Sequence, residues 1–208
     1  KDNLRQQSAM WQAMLMAAEL PNSNTIVING FLTGDGGVKM SKSLGNTINP
    51  MDVIHEYGAD AFRFFVAKEV SNFEDSPFTM ERFKASYNGG LANGLGNLVS
   101  RIMKMAEDNL DGIPEIPEEW EKLTPFYEYL NKFEISKAAD WIWLHINQMD
   151  GYIQDNQPFK VIKTDKGAGQ KMIVELVHRL NVVALMLKIV MPDTSEKILK
   201  LIKENKSP

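Results

Sequence analysis

The sequence predicts a mainly α-helical chain with a short α/β segment at its start, on three observations. Apolar residues recur at three- and four-residue intervals over most of the length after residue 50. A β-branched run bounded by turn residues, Thr25-Ile26-Val27-Ile28, lies before that point. Proline and glycine punctuate the helical stretches at Asn49-Pro50, Gly58, Pro114, Pro117 and Pro125. With 208 residues, 44% of them hydrophobic, the chain can hold one large domain or two small ones.

Residues 1–18 read as a helix, because Leu4, Ala9, Met10, Ala13, Met14 and Ala17 recur near helical spacing. Pro21-Asn22-Ser23-Asn24 breaks it. Thr25-Ile26-Val27-Ile28 then reads as a strand buried in a parallel sheet. Gly34-Asp35-Gly36-Gly37 is a turn at a hairpin tip; it lacks the G-x-x-x-x-G-K-[ST] spacing of a phosphate-binding loop.

Directly after this hairpin-like stretch stands Lys39-Met40-Ser41-Lys42-Ser43-Leu44-Gly45-Asn46. Two lysines three apart in a mobile loop suit a triphosphate. Their ammonium groups are compact charges on flexible stems, able to follow charge as it builds on phosphate oxygens. Flanking Ser and Gly let the loop move and present backbone N–H groups. The K-x-x-K spacing alone is weak evidence and fits a solvated surface loop better.

Asn49-Pro50 marks a helix start with proline in the first turn. One short helix over 51–57 stops at Gly58, and a second over 60–70 follows with Asp60 as its cap. His55 on the first reads as a packed or surface residue. A long amphipathic helix spans 79–109, with Phe83, Tyr87, Leu91, Leu95, Leu98 and Ile102 as its apolar stripe. Gly89, Gly90, Gly94 and Gly96 within it each cost about 1 kcal/mol relative to Ala. They imply either close backbone packing or a bend. Asn97 lies two residues past Leu95, about 200° around the axis, and Arg101 shares its face one turn on. An exposed Asn and Arg so placed can bond base edges in an unstacked RNA loop, and they also suit a plain solvated face.

Residues 112–124 form a Pro-rich connection. Ile135, Ala138, Ala139, Ile142, Ile146, Met149 and Ile153 define the next helical stripe. Ile173, Leu176, Leu180, Val183, Leu187 and Val190 define another, ending at Met191-Pro192, and a last helix covers 195–203. Trp141 and Trp143 belong with the core around the first stripe. Gln157-Pro158-Phe159-Lys160 between the stripes offers an aromatic face for base stacking, at about 1–3 kcal/mol per base, or a hydrophobic staple at a helix start.

Composition excludes several classes. Zero cysteines removes disulfides, thiolate zinc sites and cysteine nucleophiles, and fits a cytoplasmic protein. No run of about 18 apolar residues is present to span a membrane. His145 and His178 show no ligand spacing, so no metal site is assigned. The formal net charge of −4 argues against indiscriminate nucleic-acid binding. Its distribution is uneven: Glu107, Asp108, Asp111, Glu115, Glu118, Glu119 and Glu121 crowd residues 106–121, whereas from residue 151 ten basic residues face six acidic ones, a local +4.

The octapeptide resembles the KMSKS signature loop of class I aminoacyl-tRNA synthetases. With Gly30-Phe31-Leu32-Thr33 before it and Asn49-Pro50 after it, the segment is most similar to the methionyl-tRNA synthetases. The resemblance continues through Tyr57-Gly58-Ala59-Asp60-Ala61-Phe62-Arg63-Phe64-Phe65 and Leu91-Ala92-Asn93-Gly94-Leu95-Gly96-Asn97-Leu98-Val99-Ser100-Arg101. It is clear to about residue 110 and looser beyond.

The resemblance implies the C-terminal half of such an enzyme. Residues 1–49 would end a Rossmann-like α/β nucleotide-binding catalytic domain with the KMSKS loop, 50–78 would form the stem-contact fold, and 79–208 the α-helical bundle that binds the anticodon. Lys39, Met40, Ser41, Lys42 and Ser43 would bind ATP, with Lys39 and Lys42 catalytic. Asn97 and Arg101, in the family's N-L-x-x-R pattern, and Phe159, where a Trp usually stands, would bind the anticodon. Trp11 matches an aromatic of the methionine pocket, whereas Gln6-Gln7 replaces Phe-His there and Asn29 replaces a His near the adenosine. The other class I signature, of H-x-G-H type, is absent from these residues, and the family's zinc knuckle lies upstream of them. Partners implied are ATP with Mg2+, methionine, the tRNA anticodon stem-loop, and an N-terminal catalytic half, in cis or as a separate subunit. The fragment alone is expected not to form methionyl-adenylate. A valyl-, isoleucyl- or leucyl-type synthetase, and a non-catalytic helical tRNA- or protein-binding module, are the alternatives.

Overall fold

The computed structural model describes residues 3–115 and 123–208, and of Lys42 only the backbone. Lys1 at the start of the first helix, and Pro117, Glu118, Glu119 and Glu121 of the proline-rich acidic stretch, lie outside the described residues. The chain divides into two compact units. One comprises Lys1–Ile48 with Val70–Thr79, the other Asn49–Glu69 with Met80–Pro208.

In the first unit a π-helical turn, Gln6–Met10, runs into helix α1, Trp11–Ala17. The Asn22 amide and the Ser23 backbone N–H both donate to the Gln12 side-chain oxygen, which folds the following loop back onto α1. The expected strand at Thr25-Ile26-Val27-Ile28 does not form: these residues adopt no regular structure, and Ile26, Val27 and Ile28 are exposed. A strand needs a neighbour to take its backbone N–H and C=O groups, and no described segment supplies one here. Pairing occurs further along. Strand β1, Leu32–Thr33, lies parallel to β2, Ser76–Pro77, with Leu32 opposite Ser76. Two residues of ladder carry no periodicity, which is why β2 has no sequence signal. Gly30 is required beside it, since a Cβ there would stand 1.9 Å from the Glu74 carbonyl oxygen. The glycine-rich turn is a hairpin tip: Thr33 bridges antiparallel to Lys39, and Gly34 N–H donates to Val38 C=O at 2.8 Å.

The second unit is helical. Asn49 caps α2, Pro50–Tyr57, by accepting from Met51 N–H, and Gly58 ends it at a φ of 89°. Helix α3, Ala59–Glu69, follows. Asp60 does not cap its own helix. Its carboxylate accepts from Thr194 N–H at 2.6 Å, in the first turn of α10, Pro192–Glu204. One turn further, Arg63 donates to the C=O groups of Ile189 and Val190, both at 2.7 Å, at the end of α9, Lys166–Val190. An acid thus meets a helix N-terminus and a base a helix C-terminus, the favourable sense for both dipoles. Replacing Arg63 by alanine orphans two carbonyls at this corner and is expected to cost about 2 kcal/mol, read as a lowered urea midpoint.

The long helix over 79–109 is three segments. Helix α4, Met80–Ser86, passes into a π-helical stretch, Tyr87–Gly96, and then α5, Asn97–Asn109. Its glycines allow close approach in two settings. Gly90 permits close packing, because a Cβ there would meet the Phe64 ring at 2.6 Å. At Gly94 and Gly96 the wide turns bring the carbonyls of Gly89 and Leu91 to 3.1 and 3.2 Å from where a Cβ would stand.

Helix α6, Thr124–Asn131, is masked in the sequence by the prolines around it; Pro125 sits in its first turn, where proline is tolerated. Helix α7, Ile135–Asn156, buries its predicted stripe from Ala138 to Ile153, with Ile135 in its first turn partly buried. Trp143 is buried against the Phe64 ring at 4.6 Å between centroids, a core role as expected. Gln157, at a φ of 46°, turns the chain into α8, Pro158–Thr164, and Asp165 caps α9 through Ala168 N–H. Helix α9 is central, packed by α5, α7, α8 and α10. It therefore buries Val177, Val182, Ala184 and Met186 as well as its predicted stripe. Among the described residues no helix is long and apolar enough to cross a membrane.

Candidate phosphate loop and RNA-reading cleft

The lysine loop is shaped by its own side chains. Asn46 accepts from Ser41 N–H at 2.9 Å and donates to Lys39 C=O at 3.3 Å, pinning both ends of the turn. Lys42–Leu44 form one 3-10 turn, closed by Leu44 N–H to Ser41, and Gly45 reverses the chain at a φ of 64°. The Ser41 and Ser43 hydroxyls lie 3.1 Å apart. Lys39 is exposed, its ammonium 4.1 Å from the centre of the Phe31 ring, a cation–π contact. The side chain of Lys42 lies outside the described residues. The Lys39 ammonium and the Ser41 and Ser43 hydroxyls, carried on one loop, suit polyphosphate. Sequence reasoning misses the role of Asn46, although it stands inside the octapeptide; the available signal is an amide side chain beside a glycine that turns. Trp11 is on α1 and exposed.

The helical unit gathers the other candidates. Asn97 and Arg101 are exposed one turn apart on α5, as the helical spacing requires, while Leu98 and Val99 between them face the core. Both line a cleft of about 380 Å³ closed by Asn93, Asn147 and Asp150. Arg101 also lines a second cleft of about 730 Å³ with Phe159, Lys104, Asp108 and Ile153. Phe159 follows Pro158 at the start of α8 and remains exposed, so its ring does not act as a staple buried in the core. Arg101 therefore joins Asn97 on one side to Phe159 on the other.

Charge in this region is paired. Arg101 Nη1 meets Asp150 Oδ1 at 2.5 Å, and Gln154 donates to Asp150 Oδ2 at 2.6 Å. Lys104 contacts Asp108 at 2.8 Å, and that hydrogen bond raises its pKa. Ser207 donates to Glu107, which lowers the Glu107 pKa. Asp150 is invisible to sequence reasoning: it lies beside the α7 stripe, and nothing local shows that it meets α5.

The histidines are dispersed. His55 is exposed on α2, His145 Nδ1 lies 2.8 Å from Trp141 C=O, and His178 Nε2 has no hydrogen bond among the described residues. Among those residues no group of three or more His, Cys, Asp or Glu is placed to hold a metal.

Residues 1–103 match the family model described as tRNA synthetases class I (M). The chain belongs to this synthetase family. It is 34% identical over 95% of its length to a methionine–tRNA ligase of Clostridium acetobutylicum, covering 33% of that protein. A methionine–tRNA ligase of Rickettsia felis is 33% identical over 99% of the chain, which covers 43% of it. The fold matches the Mycobacterium tuberculosis methionyl-tRNA synthetase bound by methionyl-adenylate with a TM-score of 0.83 and 29% identity, over 96% of this chain and 42% of that one. This class I chain thus spans less than half the length of the relatives it matches. The likeness to solved synthetases extends past residue 103, through the helical unit that carries Asn97, Arg101 and Phe159.

Proposed function

We propose that this chain is the lysine-loop and anticodon-reading portion of a methionine–tRNA ligase, the enzyme that activates methionine with ATP and attaches it to its tRNA. The observation that carries the reading is the convergence of Asn97, Arg101 and Phe159 on adjoining clefts of one helical unit. The sequence points to all three residues independently of any cleft.

Lys39 and Lys42 stabilise the triphosphate of ATP while pyrophosphate leaves, Lys42 above all. Their loop is suited to this, since it carries the Ser41 and Ser43 hydroxyls and the Lys39 ammonium, and Asn46 holds it in shape. Magnesium arrives on the phosphates, consistent with a cation that keeps its waters and asks for few protein carboxylates. In the helical unit the Phe159 ring offers a stacking face, and Arg101 and Asn97 offer donors to base edges in a single-stranded loop. Lys104 beside them supplies a charge for phosphate. Residues 1–49 belong to the catalytic domain, 50–78 to the stem-contact fold and 79–208 to the anticodon domain. The exposed Trp11, Met14, Ile26, Val27 and Ile28 support a further catalytic half packing on the first unit.

The test is binding of methionine-type tRNA to the chain and to two variants. Arg101→Ala and Phe159→Ala are each expected to weaken binding by about 1–3 kcal/mol. Unchanged affinity in both variants would contradict the anticodon assignment.

A further inference from the structure

An ion pair between Arg101 and Asp150 stands at the RNA-reading cleft. Helix α5 supplies the arginine and α7 the aspartate, so the contact spans two helices. Both carboxylate oxygens are engaged: Oδ1 by Arg101 Nη1 at 2.5 Å and Oδ2 by the Gln154 amide, one turn on along α7, at 2.6 Å. A carboxylate held at both oxygens cannot swing with its partner, so it fixes where the guanidinium lies. Both side chains remain well exposed, at 43% for Arg101 and 39% for Asp150. A pair so open to water adds little to fold stability. Its effect falls instead on the conformational freedom of a long, flexible side chain that would otherwise sample many rotamers. A guanidinium carries five N–H donors, and contact through Nη1 leaves others for a base edge. The other nearby cation, Lys104, is drawn to Asp108 and Glu107 on its own helix, so it does not compete for Asp150. Asn93, Asn97 and Asn147 in the same cleft are neutral.

We propose that Asp150 is a positioning residue that sets the orientation of Arg101 for base recognition. This rests on the anticodon-reading role given above. Asp150 touches no base; it fixes the residue that does. Its loss releases the arginine to seek phosphate, which binds any sequence, so specificity falls while general affinity is kept.

The test compares the chain with Asp150→Asn, Arg101→Ala and the double variant. Each is titrated with methionine-type tRNA and with a copy carrying one altered anticodon base. Asp150→Asn keeps the shape and removes the charge. It is expected to lower the ratio of cognate to altered-base affinity about two- to tenfold, with affinity for the altered copy unchanged or raised. Arg101→Ala lowers the ratio further, and the double variant matches Arg101→Ala alone. Asp150→Glu, which restores a carboxylate, recovers part of the ratio. A merely structural role for Asp150 would instead lower both affinities together along with the melting temperature. That result overturns the proposal. An intact ratio in Asp150→Asn beside a lost ratio in Arg101→Ala overturns the positioning role alone. An equal additional loss in the double variant does the same. An intact ratio in Arg101→Ala removes the anticodon reading itself, and the proposal with it.

Discussion

Replacing Leu180 by alanine lowers the stability of the helical unit by about 3–5 kcal/mol. Leu180 has no exposed surface, and it sits midway along α9, the helix against which α5, α7, α8 and α10 all pack. The truncation removes the transfer free energy of the lost methyl and methylene groups. It also leaves a cavity that four packed helices cannot collapse into. The measurement is urea unfolding followed by helical circular dichroism. The midpoint falls while the slope stays constant, because the surface exposed on unfolding is unchanged. Ile189→Ala is the control. Ile189 lies on the same helix but is exposed, so its truncation is expected to stay within about 0.5 kcal/mol. A Leu180→Ala loss as small as the control would contradict the central placement of α9.

Gly169→Val should damage both the fold and RNA recognition. Gly169 is buried near the start of α9, where a Cβ would stand 2.5 Å from Ile162 Cα and 2.7 Å from Ile162 N. Those are backbone atoms of α8, so no side-chain rotation relieves the clash. Helix α8 must move, and it carries Phe159. Elsewhere in a helix the removal of glycine is favourable by roughly 0.5–1 kcal/mol. Here overpacking reverses the sign, with an expected net loss of about 3 kcal/mol. Variant chains that remain folded should bind methionine-type tRNA as weakly as Phe159→Ala does. Gly151→Ala makes the contrast: a Cβ there meets nothing within 4 Å, and the change is expected to be neutral or mildly stabilising. Full tRNA affinity in folded Gly169→Val would contradict the dependence of Phe159 on the α8–α9 contact.

The helical part of the chain is legible in the sequence because its apolar spacing is long and regular. The stripes on α5, α7 and α9 turn inward as the three- and four-residue intervals require, with Ile135 at the start of α7 partly buried. Asn49-Pro50 and Gly58 mark the ends of α2 because capping is local chemistry. What fails is non-local. Thr25-Ile26-Val27-Ile28 has strand composition but no strand partner among the described residues, and composition cannot supply one. Asp60 has the chemistry of a cap, and it caps α10 rather than α3, a choice set by a corner 134 residues away. The π-helical stretch Tyr87–Gly96 is visible only as misplaced glycines. In the candidate site, Asn97, Arg101 and Phe159 emerge from spacing and resemblance, because helical geometry fixes which face each occupies. Asp150 does not, since a cross-helix ion pair leaves no pattern in one sequence.

We propose that the helical unit reads the anticodon of a methionine-type tRNA. The direct measurement is the affinity of this chain for that tRNA and for a copy differing in one anticodon base, at two salt concentrations. A difference of about 1–3 kcal/mol between the two tRNAs is expected. That difference persists at the higher salt, because base contacts release few counterions while phosphate contacts weaken together. Equal affinities that decline in parallel with salt would contradict it.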